Sequence, residues 1–230
     1  KKVNFPALLK KADDIPGKFW IWFVSNHPKD FSDELIETMA KRQKVCECVH
    51  LPLQAGDDKI LQSMNRKYTA RDYMKIIRKV RTAFKKYKPK EIYSITSDII
   101  VGFPGETKKQ FLESAGIMKK VGYDMVYFGQ FSPRPGTAAQ KMKDNVSKKE
   151  KTRRERYLNE ILKKTALKNN RKYLGKTLEV LIDKEKNGAY FGHTRTYKNV
   201  KISARKNLAG RIVKVKITKA NIWNLEGAII

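Results

Sequence analysis

Few side chains in this 230-residue sequence have the chemistry of metal ligands or nucleophiles. The two cysteines, Cys46 and Cys48, are separated by one residue. An iron–sulfur cluster usually needs three or four thiolates, so this pair does not predict a cluster. Both are therefore predicted to be small buried residues, and no metal site is predicted. His27 and His50 lie at the ends of apolar segments, where a core position is a more ordinary place for histidine than a catalytic one.

Polar, glycine and proline residues follow each of four apolar segments in the first part of the chain. These segments are residues 19–24, 48–53, 95–101 and 124–131. Helical patterns separate them, and strands that alternate with helices indicate a parallel sheet. In such sheets and barrels, ligands bind at the carboxyl edge of the strands. Gln54 and Arg66 follow one predicted strand, and Asp98 lies in another that is otherwise apolar. They are our candidates for ligand contacts.

The charge of the sequence favours a polyanionic partner. The 51 Lys and Arg residues exceed the 23 Asp and Glu residues, which gives a formal net charge of +28. Of this, +16 falls in residues 147–230. Nucleic acid is the expected partner, and no membrane partner is predicted. No run approaches 18 apolar residues, and two cysteines cannot form a disulfide framework, which argues against membrane-spanning and disulfide-rich secreted proteins.

The pattern of the sequence changes after residue 146. Ser147 and Glu150 form a capping box that predicts a helix of about 26 residues. Four short β-branched segments then predict a small antiparallel barrel, roughly the size of an OB fold. These segments are residues 177–182, 196–202, 211–217 and 222–230. The predicted domain organisation is therefore 1–146, a connecting helix over 147–173, and a barrel over 174–230.

Basic and aromatic residues are interleaved in the predicted barrel. The basic candidates for nucleic-acid binding are Arg195, Lys198, Lys201, Arg211, Lys214 and Lys216. The aromatic residues among them are Tyr190, Phe191, Tyr197 and Trp223. Cations follow phosphates and aromatic rings stack on unpaired bases, so this composition suits single-stranded RNA. For Phe191 and Trp223, a place in the barrel core is the alternative.

Five motifs, in order, resemble those of the radical-SAM methylthiotransferases. They are Ser-Asn-His-Pro at 25–28, His-Leu-Pro-Leu-Gln-Ala-Gly-Asp at 50–57, Met-Asn-Arg-Lys-Tyr-Thr at 64–69, Asp-Ile-Ile-Val-Gly-Phe-Pro-Gly-Glu-Thr at 98–107 and Ser-Pro-Arg-Pro-Gly-Thr at 132–137. Residues 174–230 resemble a TRAM domain, which is an RNA-binding barrel. The match is closest to the MiaB-like tRNA enzymes. It implies an α/β fold class: strands three to six of a partial (β/α) TIM-like radical-SAM barrel, followed by the small antiparallel, OB-like TRAM barrel.

The resemblance also implies a reaction and its cofactors. The family adds a methylthio group to carbon 2 of isopentenyladenosine beside the tRNA anticodon, using S-adenosyl-L-methionine (SAM) and two [4Fe–4S] clusters. The implied partner is the tRNA anticodon stem-loop, and the implied location is the cytoplasm. Gln54, Arg66 and Asp98 would contact the ribose and carboxylate of SAM. Gly102 and Gly105 would let the backbone approach adenine, or would serve only a turn. No catalytic residue is assigned.

The sequence departs from the family at the iron–sulfur sites. One family cluster is held by a CxxxCxxC loop and the other by three cysteines of an N-terminal domain, and neither set occurs here. The chain as it stands is therefore expected not to turn over. Two other interpretations remain open: a non-catalytic RNA-binding protein built on a vestigial barrel, and a methylthiotransferase that acts on threonylcarbamoyladenosine in tRNA. The sequence predicts no oligomeric state.

Overall fold

A computed structural model of the chain describes residues 3–24, 26–203 and 208–230. Ser25, the first residue of the motif at 25–28, lies outside these ranges. The α-helices are α1 (Phe5–Asp14), α2 (Asp33–Lys41), α3 (Asp58–Ser63), α4 (Ala70–Tyr87), α5 (Lys108–Val121) and α6 (Lys148–Asn170). The strands are β1 (Cys48–His50), β2 (Ser94–Val101), β3 (Met125–Gln130), β4 (Thr177–Lys186), β5 (Ala189–Thr194), β6 (Asn199–Ser203), β7 (Ile212–Ala220) and β8 (Leu225–Ile229).

Polar side chains cap the helices where the sequence predicts their starts. Thr107 and Gln110 form the complete capping box at the start of α5. The Ser147 hydroxyl accepts a hydrogen bond from the Glu150 amide at the start of α6. These contacts satisfy amide groups that have no partner inside the helix. Thr69 and Asp72 form a further capping box on α4.

The first part of the chain forms a parallel sheet in the order β1-β2-β3. The predicted strand over 19–24 is not a strand of its own, because among the described residues it pairs only through one parallel bridge between Ile21 and Val45. Two of its aromatic rings, those of Trp20 and Trp22, instead contact the second domain. The Trp22 indole donates to the Arg195 carbonyl at 3.0 Å, and the Trp22 ring contacts Tyr197.

Helices cover one face of this sheet, and the other face is open. Along β2, Ile95, Ser97 and Ile99 are buried toward the helices, whereas Thr96 and Asp98 are half-buried on the open face. This alternation is the period of two expected of a strand. The buried face joins one large hydrophobic cluster, in which the Tyr123 hydroxyl donates to the Tyr73 hydroxyl and that group donates to the Leu51 carbonyl.

The second part of the chain forms a closed barrel in the order β4-β5-β6-β8-β7. It has five strands where the sequence predicts four segments. The sequence pattern does not predict β5, because Gly192 and His193 interrupt its apolar residues. A Cβ atom at Gly192 would overlap the Leu181 carbonyl, so glycine is required there. Four of the five strand pairs are antiparallel, as predicted, and β6 pairs with β8 in parallel.

The barrel docks against the amino edge of the parallel sheet. The Ser94 hydroxyl at the start of β2 donates to the Thr196 carbonyl at 2.8 Å. At the end of α6, the Asn170 amide donates to the carbonyls of Asn221 and Ile222. The loop between β5 and β6 therefore closes the end of the sheet opposite to the predicted ligand edge. Among the described residues, no helix is long and apolar enough to cross a membrane.

Candidate functional site

A cavity of about 720 Å³ lies at the carboxyl edge of the sheet. Gln54, Arg66 and Asp98 all line it, as the sequence predicts for ligand-binding residues at this edge. Four aromatic residues also line it: Phe103, Tyr127, Phe128 and Phe131. The volume falls within the range of small-molecule and cofactor sites, and the mixture of an apolar wall with a few polar groups is typical of them.

Gln54 is held in a conformation that is unusual for a residue other than glycine. Its φ is 67°, in the left-handed region. The backbone amide of Gln54 donates to the Asp98 carbonyl at 2.8 Å, and the backbone carbonyl of Gln54 accepts from the Ile100 amide at 2.9 Å. These two bonds fix Gln54 beside β2. Such strain at a cavity wall is a feature of functional sites, and the backbone bonds compensate for it.

Arg66 brings an incompletely satisfied cation to the cavity. Its Nε atom is buried and has no hydrogen-bond partner among the described residues. Arg66 follows the C-terminal end of α3, and its backbone amide donates to the Leu61 carbonyl. Burial lowers the pKa of nearby His27, and the Arg66 charge lowers it further. A guanidinium that lacks a protein partner is suited to a ligand carboxylate, which it can bind in a bidentate manner.

Asp98 forms a small polar cluster with His50 on the open face. The His50 Nε2 atom lies 3.4 Å from the Asp98 Oδ2 atom. The Nδ1 atom of His50 lies 2.9 Å from the Thr96 hydroxyl, and its ring meets the edge of Tyr127. His50 is therefore buried, as an ordinary core histidine would be, but it also orients the carboxylate that borders the cavity.

The structure does not bring Gly102 and Gly105 into the cavity wall. Gly102 has a φ of 71°, and a Cβ atom there would overlap the Lys151 side chain of α6. Gly105 has a φ of 82°, and its amide donates to the Asn145 side chain. Both glycines thus serve the turn after β2, which is the second of the two roles considered from the sequence. Phe103, between them, supplies the contact with the cavity.

Two buried cations of α6 hold this turn. Arg154 donates to the Glu106 carboxylate at 2.6 Å and to the Glu106 carbonyl at 3.0 Å. The same carboxylate accepts from the Gly102 amide at 2.8 Å. Burial raises the pKa of Glu106 even though Arg154 opposes that shift. The Lys151 ammonium binds Asp144 and the Phe131 carbonyl, so α6 fixes both loops beside the cavity.

The cysteines do not form a metal site. The described residues contain no group of three or more His, Cys, Asp or Glu side chains that could hold a metal ion. Burial raises the pKa of the Cys46 thiol to about 12 and that of the Cys48 thiol to about 11. Since a cluster is bound by thiolates, the residues present do not fit a [4Fe–4S] cluster.

The six basic candidates of the barrel separate into two groups. Lys201, Arg211, Lys214 and Lys216 are exposed on its outer surface. Arg195 instead forms two hydrogen bonds to the buried Glu47 carboxylate, at 2.8 and 2.9 Å. Lys198 is buried against Asp124 at 2.8 Å. Both of these pairs join the barrel to the sheet, and neither cation is positioned to contact a phosphate.

Sequence reasoning did not select several residues of the cavity wall. Asn65, Gly129 and Gln130 line the cavity in addition to the predicted residues. Arg134, from the Ser-Pro-Arg-Pro-Gly-Thr motif, also lines it. Its place after a predicted strand is a sequence signal, which marks Arg134 as a candidate contact for a phosphate or the substrate base. Gly129 gives no such signal, since its place on the open face follows only from its pairing with Ile100 across the sheet.

Comparisons with known proteins agree with the two-part architecture. Residues 3–118 match the Radical SAM superfamily, and residues 171–230 match the TRAM domain. A tRNA-2-methylthio-N(6)-dimethylallyladenosine synthase from Clostridium novyi is 40% identical over an alignment that covers 100% of this chain. The chain belongs to the Radical SAM superfamily. That membership confirms the radical-SAM family and the α/β fold class predicted from the motifs, and the superfamily's cofactors are SAM and [4Fe–4S] clusters.

Two further relatives have the same name as the protein from Clostridium novyi. Those from Bacillus cereus and a Thermoanaerobacter species are each 42% identical, over 91% and 99% of the chain. The chain spans about half the length of the curated relatives, at 50%, 41% and 48% of the three proteins. Coproporphyrinogen III oxidase from Escherichia coli, described as a radical SAM enzyme, superposes on 84% of the chain with a TM-score of 0.47 and 12% identity, too loosely to support an argument.

Proposed function

We propose that this chain is the part of a tRNA methylthiotransferase that orients SAM and binds the RNA substrate. The observation that carries the proposal is the convergence of Gln54, Arg66 and Asp98 on one cavity at the carboxyl edge of the sheet. The substrate proposed is an isopentenylated adenosine in the anticodon stem-loop of tRNA. The names of the relatives support a tRNA substrate with this modified base, and the anticodon stem-loop and a cytoplasmic location are what the motif resemblance implies.

The chemistry of SAM matches the groups around the cavity. Arg66 would hold the carboxylate of the cofactor, because its guanidinium has a buried Nε–H without a protein acceptor. The Asp98 carboxylate would accept hydrogen bonds from the ribose hydroxyls, and the Gln54 amide group could accept or donate one. The rings of Phe103 and Phe131, which lie 5.1 Å apart, offer an apolar surface for adenine. Gly102 and Gly105 are left out of this proposal because they do not line the cavity.

The iron–sulfur step is not proposed for this chain. Cleavage of SAM in the family needs a cluster, and the sequence has two cysteines where a cluster usually needs three or four. We therefore expect the chain alone not to turn over. The residues described here bind and orient the cofactor and the RNA, and the transfer itself belongs to the whole enzyme.

The RNA contacts are proposed for the exposed barrel cations. Lys214 and Lys216 alternate with the buried Val215 along β7, so that both point outward. Lys201 on β6 lies opposite Glu226 of β8, and Arg211 precedes β7. Cations on one outer surface can follow a phosphate backbone. Threonylcarbamoyladenosine remains the alternative modified base, and analysis of the nucleosides of tRNA from cells that lack the gene would distinguish the two.

A titration of the chain with SAM tests the cofactor site. The Arg66→Met variant should bind SAM at least about tenfold more weakly, since it loses a charged hydrogen bond. 5′-Methylthioadenosine has no carboxylate, so its affinity should be the same for both proteins. The Arg71→Met variant removes an exposed arginine of α4 and serves as the matched control. Isothermal titration calorimetry measures the affinities of the wild-type chain and of both variants.

Two results would overturn the cofactor assignment. If Arg66→Met binds SAM as the wild-type chain does, Arg66 does not hold the carboxylate. If the wild-type chain binds neither SAM nor 5′-methylthioadenosine, the cavity is not a cofactor site in this chain, and the non-catalytic RNA-binding interpretation is favoured instead.

A further inference from the structure

A row of aromatic rings crosses the junction between the sheet and the barrel. The rings of Trp20 and Trp22 lie 5.4 Å apart, edge to face, and those of Trp22 and Tyr197 lie 5.5 Å apart. Tyr197 stacks on His193 of β5 at 4.5 Å, with 19° between the planes. The row therefore runs from the segment beside β1 to the outer surface of the barrel.

Tyr197 occupies a backbone conformation that favours glycine. Its φ is 59°, and the turn is closed by a hydrogen bond from the Tyr197 amide to the Thr194 carbonyl at 2.9 Å. The Thr194 hydroxyl accepts from the Lys198 amide as well. A bulky residue at positive φ is uncommon, and its persistence in a turn held this firmly points to a function of the ring.

The exposed ring of Tyr197 borders a crevice that opens on the free face of the sheet. Tyr197, Trp223 and Tyr127 line this crevice and are 50%, 41% and 55% exposed. Tyr127 also lines the cavity at the carboxyl edge. A planar group stacked beside Tyr197 would therefore lie close to the groups proposed to orient SAM.

Positive charge flanks the row on the barrel side. The Lys184 ammonium lies 5.7 Å from the centre of the Phe191 ring, and Lys201 is the cross-strand neighbour of Phe191. Phe191 is half-buried and lies outside the barrel core, contrary to the alternative considered from the sequence. Three acidic groups are nearby. Asp183 binds the Nδ1 atom of His193 at 2.6 Å, Asp124 of the crevice wall is paired with Lys198, and Glu226 lies opposite Lys201. Rings flanked by cations favour an unpaired nucleic-acid strand over an apolar peptide.

We infer that the junction is a base-stacking site for unpaired RNA, in which Tyr197 and Trp223 receive a base and the Phe191 surface carries the adjoining strand. The inference rests on the proposed function, because it assigns where the RNA of that proposal is read. It goes further in placing recognition at the junction of the two domains, whereas the exposed barrel lysines supply only contacts to phosphate. Loss of a stacking contact typically weakens binding by about tenfold or more.

The test uses the intact chain and an unpaired RNA oligonucleotide that contains 2-aminopurine, whose fluorescence is quenched by stacking. Tyr197→Gly removes the ring but retains a residue that adopts φ of 59° without strain. The relief of strain offsets part of the loss of the contacts with Trp22 and His193, so the variant should remain folded. It should bind the RNA about tenfold more weakly and lose the quenching. Asn187→Gly is the matched control, because Asn187 also has a positive φ, of 52°, in the hairpin turn between β4 and β5. Its RNA affinity should be unchanged.

Three outcomes would overturn the inference in distinguishable ways. Wild-type affinity and quenching in Tyr197→Gly would leave RNA binding intact but remove it from the junction. An equal loss in Tyr197→Gly and Asn187→Gly would assign the effect to the barrel turns and not to the ring. Failure of the wild-type chain to bind RNA at all would contradict the proposed function itself. Trp223→Ala, which removes another ring from the crevice wall, should repeat the loss.

Discussion

Arg66 and Arg195 carry the same charge and serve different purposes because their surroundings differ. Arg195 uses its Nε and Nη2 groups to bind the Glu47 carboxylate and the carbonyls of Gln43 and Val45. Arg66 leaves a buried Nε–H without a protein acceptor at a cavity wall. An arginine that is paired with a buried carboxylate holds a structure together, whereas one with an unused donor in a cavity is available to a ligand.

The two thiols are expected to react slowly in the folded protein. Burial raises the pKa of Cys46 to about 12 and that of Cys48 to about 11, so almost no thiolate exists at pH 8. Alkylation by iodoacetamide should therefore be at least about tenfold slower in the native chain than in the denatured chain. Mass spectrometry of the time course gives both rates. Rapid native modification at pH 8 would contradict the assignment of these cysteines as inert.

Helix α6 is more than a basic connector between two domains. Its sequence reads as a cationic surface, but Lys151 and Arg154 are buried and bind the loops that follow β2 and β3. Helical spacing locates the apolar stripe of Leu158 and Leu162, yet it cannot show that two cations a turn earlier share the same buried side. Glu106 is 48 residues from Arg154, and Asp144 is seven residues from Lys151 but lies outside the helix, so neither ion pair follows from helical spacing.

Removing Arg154 should be costly. Arg154→Met leaves the Glu106 carboxylate buried without its cation, which should lower the free energy of unfolding by about 3 kcal/mol. Arg153→Met, on the exposed side of the same turn, should cost less than about 1 kcal/mol. Urea unfolding compares the two. Adding Glu106→Gln to Arg154→Met should recover part of the loss, and equal losses for Arg153→Met and Arg154→Met would refute the role of the buried pair.

Local signals account for most of the elements that sequence predicts correctly. The Thr107–Gln110 capping box and the alternation along β7 are encoded by neighbouring residues, and both are present in the structure. Strand β5 and the fate of residues 19–24 depend on distant contacts, such as the close approach of Gly192 to Leu181 and the hydrogen bond of Trp22 to Arg195. The motif order placed Gln54, Arg66 and Asp98 together, whereas the roles of Arg195 and Lys198 required the docked barrel.

At the scale of the whole molecule, buried ion pairs join the barrel to the sheet. Glu47 is the centre of this contact and binds both Arg195 and Lys88, with Lys88 at 2.5 Å. Burial alone would raise the pKa of Glu47, but hydrogen bonding to Arg195 and the charge of Lys88 outweigh burial and lower it. The ionised carboxylate is thus the form that stabilises the junction.

Acidification should weaken this junction. Because the pKa of Glu47 is lower in the folded state, its contribution to stability is complete above pH 4.5 and is lost as the pH falls through the folded-state pKa. Glu47→Gln should be less stable than the wild-type chain at pH 7, and it should lose less stability between pH 5 and roughly 3. Urea midpoints across this range provide the measurement. Parallel pH profiles for the two proteins would exclude Glu47 as the titrating group.

The ring of Tyr127 forms part of two walls, one of the cavity at the carboxyl edge and one of the crevice beside Tyr197. A side chain that contacts two ligands can couple their binding free energies. If SAM in the cavity shifts Tyr127 and thereby changes the affinity for RNA, then RNA must change the affinity for SAM by the same factor. A single tyrosine on the open face of the sheet thus supplies a physical route to cooperativity between cofactor and substrate.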